Sequence, residues 1–338
     1  MAARSKPEGG NGGRPSEFAL IEDLFAPLAA GAPGAYGLKD DAALFSPSPD
    51  HETVLTVDAM VAGVHFLPDD PPETVARKLL RVNLSDLAAK GATPRGYLLV
   101  TAWRAETSVD WMRGFAAGLM EDQNLFGISL WGGDTVTTTG PMTLSLTAIG
   151  EVAAGQMIRR GGARPGDDIY VTGTVGDAAL GLSVLRGALD MPDTADAAHL
   201  VRRYREPEPR TAFGPKLCGV AHAALDVSDG LMADLGHICE VSGTGARINM
   251  ESVPLSRAAR AALARDPRLV EAVAGGGDDY EILFAAPPDR ASKIGAIAAE
   301  SGISATRIGT MTEQSDGVSA IDGAGNKIAL KQLGYRHF

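Results

Sequence analysis

Several aspartates in this chain stand beside glycine, serine or the end of a strand-like run, where a carboxylate can reach a metal ion or a phosphate. They are Asp40, Asp41, Asp58, Asp86, Asp134, Asp226, Asp229, Asp278 and Asp279. An unpaired carboxylate in a poorly solvated place is costly, so it normally caps a helix, pairs with a base or binds a hard cation. Mg²⁺ takes one or two carboxylates per ion and completes its shell with water and phosphate oxygens, so converging aspartates would hold several ions. That chemistry suits phosphoryl transfer, which needs no covalent side-chain nucleophile.

Some of these aspartates also have simpler interpretations. Asp229 precedes a helical pattern and is equally well explained as the N-cap of that helix. Asp86 lies four residues before Lys90, so an ion pair on a solvated helix face is an alternative. Asp58 and Asp134 each end a strand-like run and are harder to explain in this way.

Other polar groups fit the handling of phosphates. In the Gly132-Gly133-Asp134 sequence, the missing side chains would let backbone N–H groups approach phosphate oxygens, although such triplets are common in loops. Arg160 could clamp a phosphate bidentately, or it could belong to a solvated basic loop with Arg159 and Arg164. For His65, a packed or capping role is the default interpretation.

The common nucleotide-binding motifs are absent from the sequence. No Gly-Lys pair precedes Ser or Thr, so there is no P-loop. The chain also lacks the H-R-D and D-F-G motifs of protein kinases. If ATP binds, another kind of site must hold it.

Strands and helices alternate along the chain and would position these residues. We expect strands at 53–58, 97–102, 128–131, 142–149, 169–172, 225–227 and 281–285. We expect helices behind Ser16, from Pro72 to a stop at Gly91, over 110–124, from Asp177, from Asp229, and over 289–300 with a stop at Gly302. This mixture in both halves predicts α/β or α+β layers.

The length and composition predict two domains of an ordinary globular protein. The 338 residues are about twice a usual domain, and the irregular stretch 151–168 is the best boundary. The division is therefore a disordered tail at 1–15, an N-terminal domain at 16–152 and a C-terminal domain at 153–338.

Charge and cysteine content exclude several classes of protein. The net charge of −11 disfavours nucleic-acid and anionic-membrane binding, and no apolar run reaches the roughly 20 residues of a membrane span. Cys218 and Cys239 are too few for a disulfide framework, so we expect buried free thiols. These features predict a soluble, cytoplasmic protein.

The motifs, taken in order, resemble those of the thiamine-monophosphate kinases, a family of the aminoimidazole-ribotide-synthetase-like superfamily. They are SEFALIEDLF, KDDAALF, TVDAMVAGVHF, NLSDLAAKGATP, GGDT, RRGGARPGD, YVTGTVGDAALGL, DVSDGLMADLGHI and GGGDDYEI. Each motif alone is a weak signal, but the occurrence of all nine in the order found in the family is a strong one. The resemblance runs from Ser16 to the final GYRHF.

The resemblance implies a two-domain α/β fold and a kinase activity. The N-terminal domains would pair into a homodimer, and ATP would bind with several Mg²⁺ ions in the cleft. The γ-phosphate would pass directly, in line, to the phosphate of thiamine monophosphate. The product would be thiamine diphosphate, in the last step of its biosynthesis.

The resemblance also assigns site residues. The Mg²⁺ ligands would be Asp41, Thr56, Asp58, Asp86, Asp134, Asp226 and Asp229. ATP would contact Gly133, Asp134, Arg160 and Ser228, and the thiamine phosphate would face His65, Asp278 and Tyr335.

The chain departs from the family motifs at two positions. Val57 stands where the family usually has Thr, which leaves only a backbone carbonyl for any contact there. Asp278 replaces the usual Glu, and this shorter acid would reach the substrate through water or not at all.

Two other functions remain as alternatives. The first is an ATP-dependent synthetase of the same superfamily, which activates an amide or formyl oxygen or makes selenophosphate. A selenophosphate synthetase would carry a reactive Cys near the N-terminus, whereas the first Cys here is Cys218. The second is a non-catalytic nucleotide- or metal-binding regulatory protein.

Overall fold

A short helical segment opens the described part of the protein. The computed structural model describes residues 16–329 and 334–335, so the predicted tail at 1–15 lies outside the described residues. Ser16 caps helix α1 (Glu17–Leu20) by accepting a hydrogen bond from the Ala19 N–H. The chain then continues through π and 3₁₀ turns, whose buried side chains include Leu24 and Phe25.

The first half of the chain forms a four-stranded sheet covered on one face by two helices. In chain order its elements are β1 (His51–Val61), α2 (Pro72–Ala89), β2 (Thr93–Arg104), α3 (Val109–Phe126), β3 (Ser129–Thr138) and β4 (Thr143–Ala153). The strand order is β1-β4-β2-β3. The predicted stripe of Val75, Leu79 and Val82 on α2 is buried, and Gly91, which follows the helix, adopts a positive φ.

Two of these strands are longer than the sequence predicts. β1 continues three residues beyond Asp58, and β3 runs through Gly132, Gly133 and Asp134 to Thr138. The predictions that Asp58 and Asp134 end their strands are therefore wrong. Pairing with β4 and β2 continues past both residues, because backbone hydrogen bonding does not require an apolar side chain.

The second half of the chain forms a six-stranded mixed sheet with helices on both faces. The strand order is β10-β7-β9-β5-β8-β6. The elements are β5 (Asp168–Thr172), α4 (Asp177–Leu185), α5 (Thr194–Arg205), β6 (Ala223–Asp226), α6 (Leu231–Ser242), β7 (Thr244–Asn249), α7 (Arg257–Arg265), α8 (Val270–Gly275), β8 (Ile282–Ala286), α9 (Ala291–Ser301), β9 (Ala305–Glu313) and β10 (Val318–Ile321). Gly302 ends α9 in the left-handed conformation, as predicted.

Helix α2 joins the two halves. Its last turn places Ala88 and Ala89 in one buried cluster with Phe213 and Phe284 of the second half. The two sheets therefore share a packed boundary at the C-terminal end of α2. This mixed architecture confirms the predicted α/β class, and it brings β1, α2 and β6 close to one another.

Candidate functional site

Three predicted metal ligands meet where β1 packs on α2. The Thr56 hydroxyl donates a hydrogen bond to the Asp86 carboxylate, and the Asp58 backbone N–H donates to Oδ1 of Asn83 at 3.1 Å. Burial, together with the neighbouring charge of Asp86, raises the pKa of Asp58 to about 6. The two carboxylates are therefore close enough to repel each other.

Asp226 brings a third carboxylate from the second half. It ends β6 with 8% of its surface exposed, and its pKa is raised by burial and then by Asp86. Lys90 lies beside both carboxylates, but its ammonium donates to the Ala224 carbonyl at 2.8 Å. Burial lowers the pKa of Lys90, so this lysine does not lie on a solvated helix face as the ion-pair alternative required.

The start of α6 adds two more carboxylates, Asp229 from the preceding turn and Asp234 from the first turn of the helix. Asp234 accepts hydrogen bonds from the backbone N–H groups of Ser228, Asp229 and Gly230, each at 3.0 Å. The N-cap of α6 is Gly230, so the interpretation of Asp229 as a helix cap is wrong. Burial, together with the charge of Asp229, raises the pKa of Asp234 to about 7.

These carboxylates form one continuous group. Asp86 perturbs Asp58 and Asp226, Asp234 perturbs Asp226, and Asp229 perturbs Asp234. We call Asp58, Asp86, Asp226, Asp229 and Asp234 the acidic cluster. Asp229 and Asp234 also lie with His237 in a group whose ligand atoms are within 4.8 Å of one another.

A cavity of about 570 Å³ opens beside the acidic cluster, between the two halves. The predicted residues that line it are Asp58, His65, Ser228, Asp229, Asp278 and Tyr335. We call it the inter-half cavity. Nδ1 of His65 accepts a hydrogen bond from the Val61 N–H at 3.0 Å, and the Tyr335 backbone N–H donates to the Asp229 carbonyl at 2.9 Å. The structure thus brings all three predicted acceptor-site residues to one place.

Asp278 has protein partners at both carboxylate oxygens. Oδ2 accepts from the Lys78 ammonium at 3.0 Å, and Oδ1 accepts from the Tyr280 hydroxyl at 3.2 Å. Both contacts come from residues that line the same cavity, so they hold the Asp278 carboxylate at the cavity wall.

The structure places Asp41, Gly133 and Asp134 elsewhere. They line a second cavity of about 580 Å³, which we call the outer-face cavity because it lies on the face of the four-stranded sheet opposite α2. Asp134 is on the edge strand β3, whereas Asp58 is on the opposite edge strand β1. A Cβ at Gly133 would lie 1.8 Å from the Leu99 carbonyl oxygen, so close strand contact by itself requires this glycine.

The remaining predicted nucleotide contact, Arg160, is exposed beside Lys90. After burial, the positive charge of Arg160 is the other cause that lowers the pKa of Lys90. Arg160 therefore lies near the acidic cluster rather than on the outer-face cavity.

Sequence reasoning missed Lys78 and Asp234. Lys78 is 3% exposed and lies three residues after Val75 and four before Val82, so it falls on the predicted apolar stripe of α2. A lysine at such a position signals a buried contact. Asp234 gave no comparable signal, because an aspartate in the first turn of a helix is ordinary.

Two family models match consecutive parts of the chain. The family model described as AIR synthase related protein, N-terminal domain, matches residues 39–152, and the corresponding C-terminal domain matches 164–322. The fold is thus that of the AIR synthase related proteins, as the resemblance implied.

Individual relatives show which family within this class the chain resembles. The thiamine-monophosphate kinase of Caulobacter vibrioides is 46% identical over 326 residues, which cover 96% of this chain and 91% of that protein. The crystal structure of the enzyme from Stenotrophomonas maltophilia K279a superposes with a TM-score of 0.81 at 40% identity, over 90% of this chain and 96% of that one. AaThiL complexed with AMPPCP and TMP gives a TM-score of 0.76 at 28% identity, over 95% and 97%. The chain belongs to the thiamine-monophosphate kinase family.

Among the helices of residues 16–329, none combines the length and the apolar character needed to cross a bilayer.

Proposed function

We propose that this chain transfers the γ-phosphate of ATP to the phosphate of thiamine monophosphate, forming thiamine diphosphate and ADP. The observation that carries the proposal is the acidic cluster at the edge of the inter-half cavity, where His65, Asp278 and Tyr335 also lie. The relative AaThiL, which spans nearly the whole chain, is complexed with AMPPCP and TMP.

Mg²⁺ is the counter-charge that we propose for the acidic cluster. Burial and mutual repulsion raise the pKa values of Asp58, Asp226 and Asp234, so the residues that the structure describes do not fully compensate the negative charge of the cluster. Thr56, Asp58, Asp86, Asp226 and Asp229 would hold the ions through oxygen, the donor type that Mg²⁺ prefers. Bound Mg²⁺ would neutralise the phosphate oxygens of the nucleotide and the acceptor.

The residues of the chain would bind and align rather than react. A phosphate monoester has its second pKa near 6, so the acceptor oxygen is already anionic at neutral pH and needs no general base. His65, Asp278 and Tyr335 would orient the acceptor, while Ser228 and Arg160 would contact the nucleotide. An oxygen of the acceptor phosphate then forms the bond to the γ-phosphorus as the bond to ADP breaks.

We also propose that the N-terminal domain, 16–152, forms a homodimer through the outer face of its sheet, while 153–338 is the second domain. Apolar side chains remain exposed on that face: Leu55, Val57, Leu98, Val100 and Val136. Exposed apolar side chains grouped on one face of a sheet are typical of an interface. Asp41, Gly133 and Asp134 lie along the same face, so pairing would enclose these proposed metal and ATP contacts.

Val57, which replaces the usual Thr, gives a direct test of the dimer. It is 61% exposed on this face. In Val57→Asp, dimerisation would bury an unpaired charge, which is costly, so the variant should be a monomer. Sedimentation equilibrium would measure the mass. The control is Leu125→Asp, which changes a 66% exposed residue on α3 and should leave the mass unchanged. A wild-type protein that sediments as a monomer would rule out this interface.

The kinase proposal is tested with the purified chain, ATP, MgCl₂ and thiamine monophosphate. We expect ADP and thiamine diphosphate in equal amounts, measured by a coupled assay and by chromatography. Thiamine in place of its monophosphate should release no ADP. ADP release without thiamine diphosphate would favour a synthetase, and nucleotide binding without turnover would favour the regulatory alternative.

A further inference from the structure

Lys78 is a buried cation in the wall of the inter-half cavity. Its ammonium donates to the His65 carbonyl at 3.1 Å and to Oδ2 of Asp278 at 3.0 Å. It also lies 3.8 Å from the centroid of the Tyr204 ring. An ammonium has three donors, so two oxygen acceptors and one aromatic face satisfy it. Lys78 is thus engaged with the protein on every side, with only 3% of its surface exposed.

The two oxygen partners come from different halves of the molecule. His65 follows β1 in the first half, and Asp278 precedes β8 in the second. Both residues line the inter-half cavity. The Lys78 ammonium therefore bridges two walls of this cavity, one from each half.

The loop that carries Asp278 has a strained backbone and is fixed by contacts on both sides. Asp278 and Tyr280 adopt positive φ values of 71° and 53°, a backbone conformation that is strained for residues other than glycine. On one side, the Asp279 carboxylate accepts from the backbone N–H groups of Gly176 and Ala178 at the start of α4. On the other side, Lys78 ties the loop to α2.

Other contacts hold the two halves together without touching this cavity. Arg77 donates to Glu206 at 3.0 Å, and Arg81 donates to the Pro207 carbonyl at 3.2 Å. Because these contacts also join α2 to the second half, Lys78 is not needed merely to attach one half to the other.

We propose that Lys78 is a positioning residue for the phosphate acceptor, which acts by fixing His65 and Asp278 at one separation. The inference rests on the proposed function. Of the two side chains that contact the Asp278 carboxylate, Tyr280 lies on the same loop, so Lys78 is the one that ties this carboxylate to the first half. Loss of that contact should weaken acceptor binding and leave nucleotide binding nearly intact.

Steady-state kinetics of Lys78→Met test this inference. Met keeps most of the side-chain volume and removes the charge. We expect the KM for thiamine monophosphate to rise about 10- to 100-fold, because truncating one partner of a buried charge pair is costly, whereas the KM for ATP should change less than about two-fold. The matched control is Arg77→Met, which removes the ion pair between α2 and Glu206, and both of its KM values should stay near wild type.

A double variant tests the link to Asp278. Because Asp278→Asn removes the charge that Lys78→Met leaves unpaired, the combined increase in the acceptor KM should be smaller than the product of the two single increases. Independent, multiplicative effects would overturn the proposal. An equal rise in both KM values, or an acceptor KM as unaffected as that of Arg77→Met, would overturn it too.

Two further measurements keep the test decisive. If Lys78→Met does not fold, Lys78→Gln retains N–H donors without charge and should still raise the acceptor KM; an unchanged KM would contradict the proposal. Calorimetric titration of thiamine monophosphate, in the presence of a non-hydrolysable ATP analogue, measures acceptor affinity without turnover. A wild-type protein that binds but does not phosphorylate the acceptor would defeat only the proposed function, whereas equal affinities of wild type and variant would defeat only the role of Lys78.

Discussion

Replacing Asp58 by Asn lowers turnover roughly a thousand-fold with little loss of stability, if the acidic cluster holds the metal ions of the reaction. Asn has nearly the same shape, so packing is kept and the negative charge is removed. The coupled ADP assay at saturating Mg²⁺ measures the loss. The metal ligand assignment of Asp58 would be wrong if the variant kept near-normal turnover.

The pKa of Asp58 gives the same variant a second readout. Burial and then Asp86 raise this pKa to about 6, so ionised Asp58 destabilises the metal-free fold, and the penalty appears as the pH rises from about 4 to above 6. In the presence of EDTA, Asp58→Asn should therefore melt at or above the wild-type temperature at pH 8, and this advantage should disappear near pH 4. A lower melting temperature at pH 8 would instead make Asp58 a structural residue.

A matched change elsewhere controls for the substitution itself. Asp110, on α3, has a side chain that is 93% exposed. Asp110→Asn should leave both turnover and the pH dependence of melting at wild-type values. If it reduced turnover as Asp58→Asn does, loss of net charge rather than loss of a ligand would explain the result.

The spacing of apolar residues, together with the Pro and Gly residues at helix ends, predicted much of the fold. The apolar stripe of α2, its first-turn Pro72 and its stop at Gly91 are all local signals, and the structure agrees with each. Strands β7, β9 and β10 were not predicted from the sequence. β9 mixes Thr, Arg and Glu with few large apolar residues, so its pairing with β5 and β7 comes from tertiary contact rather than from its own pattern.

The acidic cluster could be predicted only as residue types in suggestive places. Asp58, Asp86, Asp226 and Asp229 do come together, although their roles as ligands stay predictions. The position of Asp134 could not be foreseen. A register shift opposite Tyr97 and Leu98 changes which residues of β3 share a face, and no sequence signal marks that bulge.

The ion-pair network behind the Asp278 loop leads to the second large prediction. Glu281 is fully buried and accepts from Arg203 Nη2 at 2.9 Å, from Arg210 Nε at 2.6 Å and from the Thr172 hydroxyl at 2.7 Å. Glu281→Gln keeps the volume but removes the buried carboxylate that both arginines share. Their remaining carboxylate partner is Glu208, whose side chain is 38% exposed and whose contacts are longer, at 3.5 and 3.4 Å. We expect a loss of about 3–5 kcal/mol in the free energy of unfolding, measured by urea denaturation.

A surface pair provides the control for this variant. Glu300 pairs with Lys216 at 2.8 Å, but the Glu300 side chain is 69% exposed, so Glu300→Gln should change stability by less than about 1 kcal/mol. The two variants remove the same charge, and only burial differs. If Glu281→Gln were as mild as Glu300→Gln, Glu208 would suffice as the carboxylate partner of both arginines, and the prediction for Glu281 would be wrong. Arg203 also donates to the Asp279 carbonyl at 3.2 Å, so a displaced Arg203 should disturb the loop that carries Asp278. Any Glu281→Gln protein that remains folded should therefore have a raised KM for thiamine monophosphate.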